Sequence, residues 1–262
     1  MIKIHFLGTC SGTEPMAGMH HCSLVIEIDG KYYWFDAGEN CSHRAYTDGI
    51  DVLKTQAIFV SHPHIDHVGG LANLLACMNK LVNHYKLSVD NGNALRIFFP
   101  DEKLLDAIVT VCNGGDPKNT LGFDLIRCQI SDGALFEDER VKVSAIHNRH
   151  LKEDGTNGWH SYSFLIEAEG KRIIFSGDVM SYAELDCFVH GGCDLLIGET
   201  GHHKVADVCD YVVEKGIKKM YFNHHGREII NDREGCERYV RDYSEKCGVP
   251  IVIAYDGLTV MI

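Results

Sequence analysis

The feature that most constrains this chain is Ser61-His62-Pro63-His64-Ile65-Asp66-His67-Val68-Gly69-Gly70, which packs three imidazoles and one carboxylate into six consecutive positions directly after an apolar run at 57–60. A short apolar run that stops at ligand-type side chains reads as a buried strand whose carboxyl end carries a site, the arrangement of open α/β sheets. On an extended or tightly turned backbone, His-x-His sends His62 and His64 to one side, while Asp66 and His67 turn toward a second point nearby. The spacing therefore provides for two metal positions. Behind it, Leu71, Leu74, Leu75, Met78, Leu81, Val82 and Tyr85 recur at helical spacing and predict a scaffold helix.

The remaining elements follow from turn chemistry and periodicity. Alternating Ile2, Ile4 and Phe6 predict a first strand, closed by small residues at 8–13. Asp29-Gly30 joins 23–28 to 31–35 as a hairpin, and Glu169-Gly170 joins 162–168 to 171–175 as another. The first hairpin runs into Asp36, which is placed to orient a metal ligand or to cap the next segment. The second delivers Ser176-Gly177-Asp178. Helices are expected at 103–112, 181–189, 203–214 and 231–247. Strands are expected at 95–99, 123–130, 141–146, 194–197, 219–222, 251–254 and 258–262. Strands lead and helices follow in both halves, which is consistent with two stacked sheets covered by helices. The Gly- and Asn-rich stretch at 113–120 is a loop, and nothing there marks a second domain.

Four strand ends thus carry ligand-type side chains: His62, His64, Asp66 and His67; His150 or His147; Asp178; and His224 or His225. Such a set supplies what a two-metal hydrolase needs, with a water between the ions whose pKa falls to about 7. Histidine and carboxylate donors suit two divalent ions, with zinc first and manganese or iron as alternatives.

Composition narrows the partners. Apolar residues make up 45% and mean hydropathy is −0.11, as in a globular chain. With 25 Lys and Arg against 37 Asp and Glu, the net charge of −12 disfavours a long nucleic acid, whose phosphates are held mainly by cations. Eleven Cys with no C-x-x-C pair, and an N-terminal apolar run too short for a signal segment, read as reduced thiols in a cytoplasmic protein. No apolar run approaches membrane-spanning length.

Over nearly its whole length the chain resembles the metallo-β-lactamase superfamily, and within it the ribonuclease Z branch of metal-dependent phosphodiesterases. The residues that carry the likeness are Phe6-Leu7-Gly8-Thr9, Trp34-Phe35-Asp36-Ala37-Gly38-Glu39, the motif at 61–70, Ser176-Gly177-Asp178, Cys193-Asp194-Leu195-Leu196-Ile197-Gly198-Glu199-Thr200 and Tyr221-Phe222-Asn223-His224. The resemblance implies one domain over 1–262, of α/β class, folded as a four-layer αββα sandwich. It also implies metal ligation by His62, His64, Asp66, His67, His150, Asp178 and His224, and it favours His150 over His147. In that branch a further histidine opens a helix and helps protonate the leaving group. Here that residue is His202, held by Glu199, while Asp66 orients the nucleophile. The chain departs from the branch in lacking the protruding tRNA-gripping arm, since 162–178 holds only a tight hairpin. A small phosphodiester, such as a cyclic nucleotide or a nucleotide fragment, therefore suits it better than tRNA. The rival readings are a lactone or thioester hydrolase, which needs no acid at His202, and, further off, a redox enzyme or a non-catalytic metal-binding protein. A homo-oligomer is left open.

Overall fold

Runs of β-branched and aromatic side chains become strands in two sheets of seven, seen in a computed structural model that describes every residue except Thr13, Pro15, Pro117 and 152–157. The parts of the loops at 8–13 and 113–120 that fall on those positions lie outside the described residues. By density of contacts the chain divides into two units. One comprises Met1–Gly8, Thr13–Ile130 and Asp256–Ile262; the other comprises Thr9–Gly12 and Ser131–Tyr255.

The first unit holds β1 (Ile2–Gly8), β2 (Ser23–Ile28), β3 (Lys31–Ala37), β4 (Thr55–Phe59), β5 (Ala94–Phe98), β6 (Asp124–Cys128) and β14 (Thr259–Met261), in the order β14-β1-β2-β3-β4-β5-β6. Antiparallel pairing at the β14 end gives way to parallel pairing from β3 to β6. The parallel strands β3 and β4 are buried along both faces, which explains why their sequences are almost unbroken apolar runs. On one face Trp34, Ile58, Leu95 and Ile97 pack with Leu71, Leu74, Leu75 and Met78 of the helix Leu71–Tyr85. On the same strands Phe35, Phe59 and Phe98 form a stacked row, with ring centroids 5.1 and 4.8 Å apart.

The second unit repeats this plan with β7 (Gly133–Glu137), β8 (Val141–His147), β9 (Tyr162–Ala168), β10 (Lys171–Phe175), β11 (Leu195–Glu199), β12 (Met220–Asn223) and β13 (Ile251–Ile253). Their order is β13-β12-β11-β10-β9-β8-β7. Strands β10 to β13 pair in parallel, and the helices Val205–Glu214 and Arg233–Cys247 cover Leu196, Met220, Phe222 and Ile251.

Among the elements not anticipated are β7 and the short helices Cys41–Thr47 and Arg227–Asn231. Strand β7 is largely exposed at a sheet edge, so its side chains carry no two-faced pattern. The expected helix at 203–214 begins at Val205 instead. The backbone N–H of His202 donates to the Glu199 carboxylate at 2.9 Å, which holds residues 200–203 as a bend and leaves His202 ahead of the helix.

Candidate metal centre

In the first unit the motif at 61–70 leaves β4, passes through His62 and His64, and enters the one-turn helix Ile65–Val68 that carries Asp66 and His67. His62 Nε2 lies 3.0 Å from His64 Nδ1. Two imidazole nitrogens on one tetrahedral zinc stand roughly 3.3 Å apart at ordinary Zn–N lengths, so this pair already has the spacing of co-ligands. The other nitrogen of His62, Nδ1, is 3.0 Å from Ser61 Oγ.

Asp36 organises the neighbouring imidazole. Its fully buried carboxylate accepts from Ser61 N at 2.7 Å, from Ser61 Oγ at 2.8 Å and from His67 Nδ1 at 2.7 Å. With the proton fixed on Nδ1, His67 carries the lone pair that would ligate on Nε2, which lies 3.7 Å from Asp66 Oδ2. Asp36 thus takes the orienting role, not the capping one. It holds φ 61°, a left-handed conformation that Asp tolerates better than most residues and that three hydrogen bonds here sustain. The Asp36 loop and the motif are in backbone contact: a Cβ on Gly70 would strike Gly38 O, and one on Gly38 would strike Asp66 O. Only glycine lets these two backbones approach so closely.

In the second unit, Asp178 follows β10, Glu199 ends β11 and His224 follows β12, all at carboxyl ends of parallel strands. Asp178 lies 3.3 Å from His224 Nδ1, 3.7 Å from His150 Nε2 and 3.8 Å from His202 Nδ1. The donor atoms of Asp178, His202 and His224 all fall within 4.8 Å of one another. His224 holds φ 46°, a second left-handed non-glycine at a strand end. Glu199 is buried, and its carboxylate accepts from Val179 N at 3.2 Å, from His202 Nδ1 at 3.1 Å and from His202 N. Burial alone pushes Glu199 up, but hydrogen bonds from His202 and His224 outweigh it and hold the group well below the usual carboxylate range. The hydrogen bond to Glu199 in turn raises His202 against the opposing effect of burial.

His147, the alternative to His150, turns elsewhere: its Nδ1 donates to Asp132 Oδ2 at 2.7 Å. His225, the alternative to His224, gives Nε2–H to Ala254 O at 2.8 Å, and burial lowers its pKa to about 3, so it stays neutral. Ser61 and Tyr182, whose hydroxyl donates to Glu199 O at 2.7 Å, escaped the sequence reading. A hydroxyl that orients another group has no spacing signature.

The donor chemistry of both clusters fits divalent cations. Each supplies imidazole nitrogens together with carboxylate oxygens, and in the first an imidazole is pinned through its other nitrogen by a buried carboxylate.

Residues 2–236 match the model of the family described as Anti-Pycsar protein Apyc1. The chain belongs to this family. Curated relatives of this Apyc1-family chain include the ribonuclease Z of Shouchella clausii, 27% identical over 293 residues that cover 89% of the chain and 90% of the relative. The ribonuclease Z of Nitrosopumilus maritimus is 30% identical over 151 residues, 57% of the chain and 46% of that relative, so the match spans about half of its length. Among solved structures, human tRNase Z, short form, aligns with TM-score 0.72 at 18% identity over 99% of both chains. The metallo-β-lactamase fold protein YhfI from Bacillus subtilis aligns with TM-score 0.72 at 14% identity, covering 99% and 98%. A diphosphatase from the PhnP family aligns with TM-score 0.68 at 15% identity, covering 100% and 98%. The Apyc1-family chain thus has the metallo-β-lactamase fold, of α/β class, and is a ribonuclease Z-like member of that metallohydrolase superfamily. No helix of the described residues is long and apolar enough to cross a membrane.

Proposed function

We propose that this chain is a cytoplasmic, metal-dependent phosphodiesterase that acts on a small phosphodiester, such as a cyclic nucleotide or a nucleotide fragment. In this reading, 1–262 is one domain, and His62, His64, Asp66, His67, His150, Asp178 and His224 hold two divalent ions, zinc first. Ions bound there supply a water deprotonated near pH 7 and positive charge for the phosphoryl oxygens. Asp66 accepts a hydrogen bond from the attacking water and orients it.

The observation that carries the reading is the buried Glu199 carboxylate gripping the side chain and backbone of His202 beside Asp178. His202 keeps 44% of its side chain exposed, and with Nδ1 committed to Glu199 its Nε2–H is left to serve a leaving alkoxide. Expulsion of an alkoxide from phosphorus gains from such an acid, whereas opening an activated carbonyl does not require one. The small-substrate half of the reading draws on the two-residue turn Glu169-Gly170 between β9 and β10, which leaves no insertion there to grip tRNA, and on the net charge of −12.

The test is turnover of bis(p-nitrophenyl) phosphate and of a simple lactone by metal-loaded protein, with metal content measured on every sample. His202→Ala should retain metal and lose roughly 10²- to 10⁴-fold in phosphodiester turnover. Lactone turnover alone, indifferent to that substitution, would overturn the reading.

A further inference from the structure

The function proposed above gives His202 a task and leaves its neighbour His203 without one. Yet His203 is tied into the same strand ends of the second unit. Its Nε2 lies 2.9 Å from Val179 O, and since a carbonyl only accepts, that contact fixes the ring proton on Nε2. The same nitrogen lies 3.4 Å from Glu199 Oε1. Val179 in turn donates its backbone N–H to Glu199 Oε1 at 3.2 Å. The residue that follows Asp178 is thus held twice, at its N–H by the last residue of β11 and at its C=O by the side chain four positions further on. Behind this clasp the buried Tyr182 ring meets the His203 imidazole edge-on, centroids 5.0 Å apart and planes at 69°, while the Tyr182 hydroxyl donates to Glu199 O at 2.7 Å. Beyond the bend, Val205 N donates to the Glu228 carboxylate at 2.9 Å and anchors the start of the next helix.

The consequence falls on His202. Glu199 Oε1 serves both Val179 N–H and His202 Nδ1, and Oε2 accepts from His202 N. A carboxylate turns about a single bond, so a donor that stays in place on Oε1 keeps its plane aimed at His202. Val179 N–H stays in place only while the backbone at 178–180 keeps its course, and the hydrogen bond on the carbonyl of the same residue opposes a swing of that turn. Only 17% of the His203 side chain is exposed, so water is poorly placed to replace the bond. Packing alone would be met by an apolar side chain against Tyr182; it does not call for a ring nitrogen at 2.9 Å from Val179 O.

We propose that His203 is a positioning residue: by holding Val179 O it keeps Val179 N–H on Glu199, and through Glu199 it holds His202 in the orientation that serves the leaving group. The task of His202 rests on the phosphodiesterase reading, whereas the clasp is read without turnover, from amide hydrogen exchange.

Metal-loaded wild type, His203→Phe, His203→Asn and His203→Gln are compared by NMR-detected exchange of the Val179 and His202 amides, and by kcat and KM on bis(p-nitrophenyl) phosphate. Phe keeps a ring against Tyr182 without a donor, the Asn amide is too short to reach Val179 O, and the Gln amide nitrogen can take the place of Nε2. Phe and Asn should speed exchange of both amides roughly fivefold or more, while Leu196, whose N–H donates to Lys219 O, keeps its rate. Both should lower kcat about tenfold with KM and metal content unchanged. Gln should recover most of both losses. In a His202→Ala background, His203→Phe should cost no further kcat. Unchanged amide exchange in Phe and Asn, a loss in Gln as deep as in Phe, or the same kcat loss from Phe with and without His202 would overturn the clasp. Absence of phosphodiester turnover by the wild type would strike the activity, and the amide rates alone would then decide the role of His203.

Discussion

Substituting Asp36→Asn separates a carboxylate that orients a ligand from one that merely fills space. The native carboxylate accepts three donors at 2.7–2.8 Å, two of them on Oδ2, which takes both Ser61 Oγ–H and His67 Nδ1–H. Asn is nearly isosteric and tolerates the left-handed φ of 61°, so the backbone has no reason to move. Its carbonyl can keep the Ser61 N–H, but its amide then presents N–H groups where His67 also presents one. Ser61 Oγ resolves its conflict by rotating. His67 resolves its own only by shifting the proton to Nε2, which removes the lone pair that would ligate. Recovering the ligating tautomer against the amide costs about one neutral hydrogen bond plus the penalty for leaving a buried donor unmet, roughly 2 kcal/mol. That is about 30-fold, within the 10- to 100-fold range for groups that orient a metal ligand. The measurement is competition for zinc against a chromophoric chelator at pH 7.5, with folding checked by urea denaturation. A variant that folds and binds both ions with wild-type affinity would refute the orienting role. A variant that fails to fold would instead assign Asp36 to stability, and Asp36→Glu or Asp36→Ser would show the same defect without metal.

Two further outcomes test the packing around the site. His225 is fully buried and neutral, with a pKa lowered to about 3 by burial first, so the unfolded chain binds its proton more readily than the native one. Its contribution to stability is complete above about pH 6.5 and is lost as pH falls toward 3. By pH 5 the loss is about 2 kcal/mol. The stability gap between wild type and His225→Gln should narrow by that amount between pH 7.5 and 5, and a pH-independent gap would contradict it. Gly70→Ala drives a Cβ into Gly38 O and Cys41 Sγ, and because the nearest obstacle is backbone that cannot swing aside it should cost about 1–3 kcal/mol or more in urea denaturation. An unchanged midpoint would mean that the two loops do not meet as described.

The candidate ligands stand out in the sequence because ligand chemistry is local: the motif at 61–70 fits its donor-type side chains into a single turn, and Asp178, Glu199 and His224 each close an apolar run that reads as a strand by itself. The hairpins around Asp29-Gly30 and Glu169-Gly170, the helix Leu71–Tyr85 and the parallel strands were legible for the same reason, since turn residues and periodicity act within a few positions. Edge strand β7 and the helices Cys41–Thr47 and Arg227–Asn231 were not, because they are short or exposed and their order comes from neighbours.

What the chain could not state by itself was orientation. His147 and His150 are equivalent as letters, as are His224 and His225. Only the folded second unit turns His147 to Asp132 and His225 to Ala254 O while bringing His150 and His224 to Asp178. The Ser61–Asp36–His67 triad, the grip of Glu199 on His202 and the bond from His203 to Val179 O likewise join residues across strands and loops. A side chain's identity is fixed by the sequence, but which ring nitrogen carries a proton, and toward what it points, depends on partners that only tertiary folding brings within 3 Å.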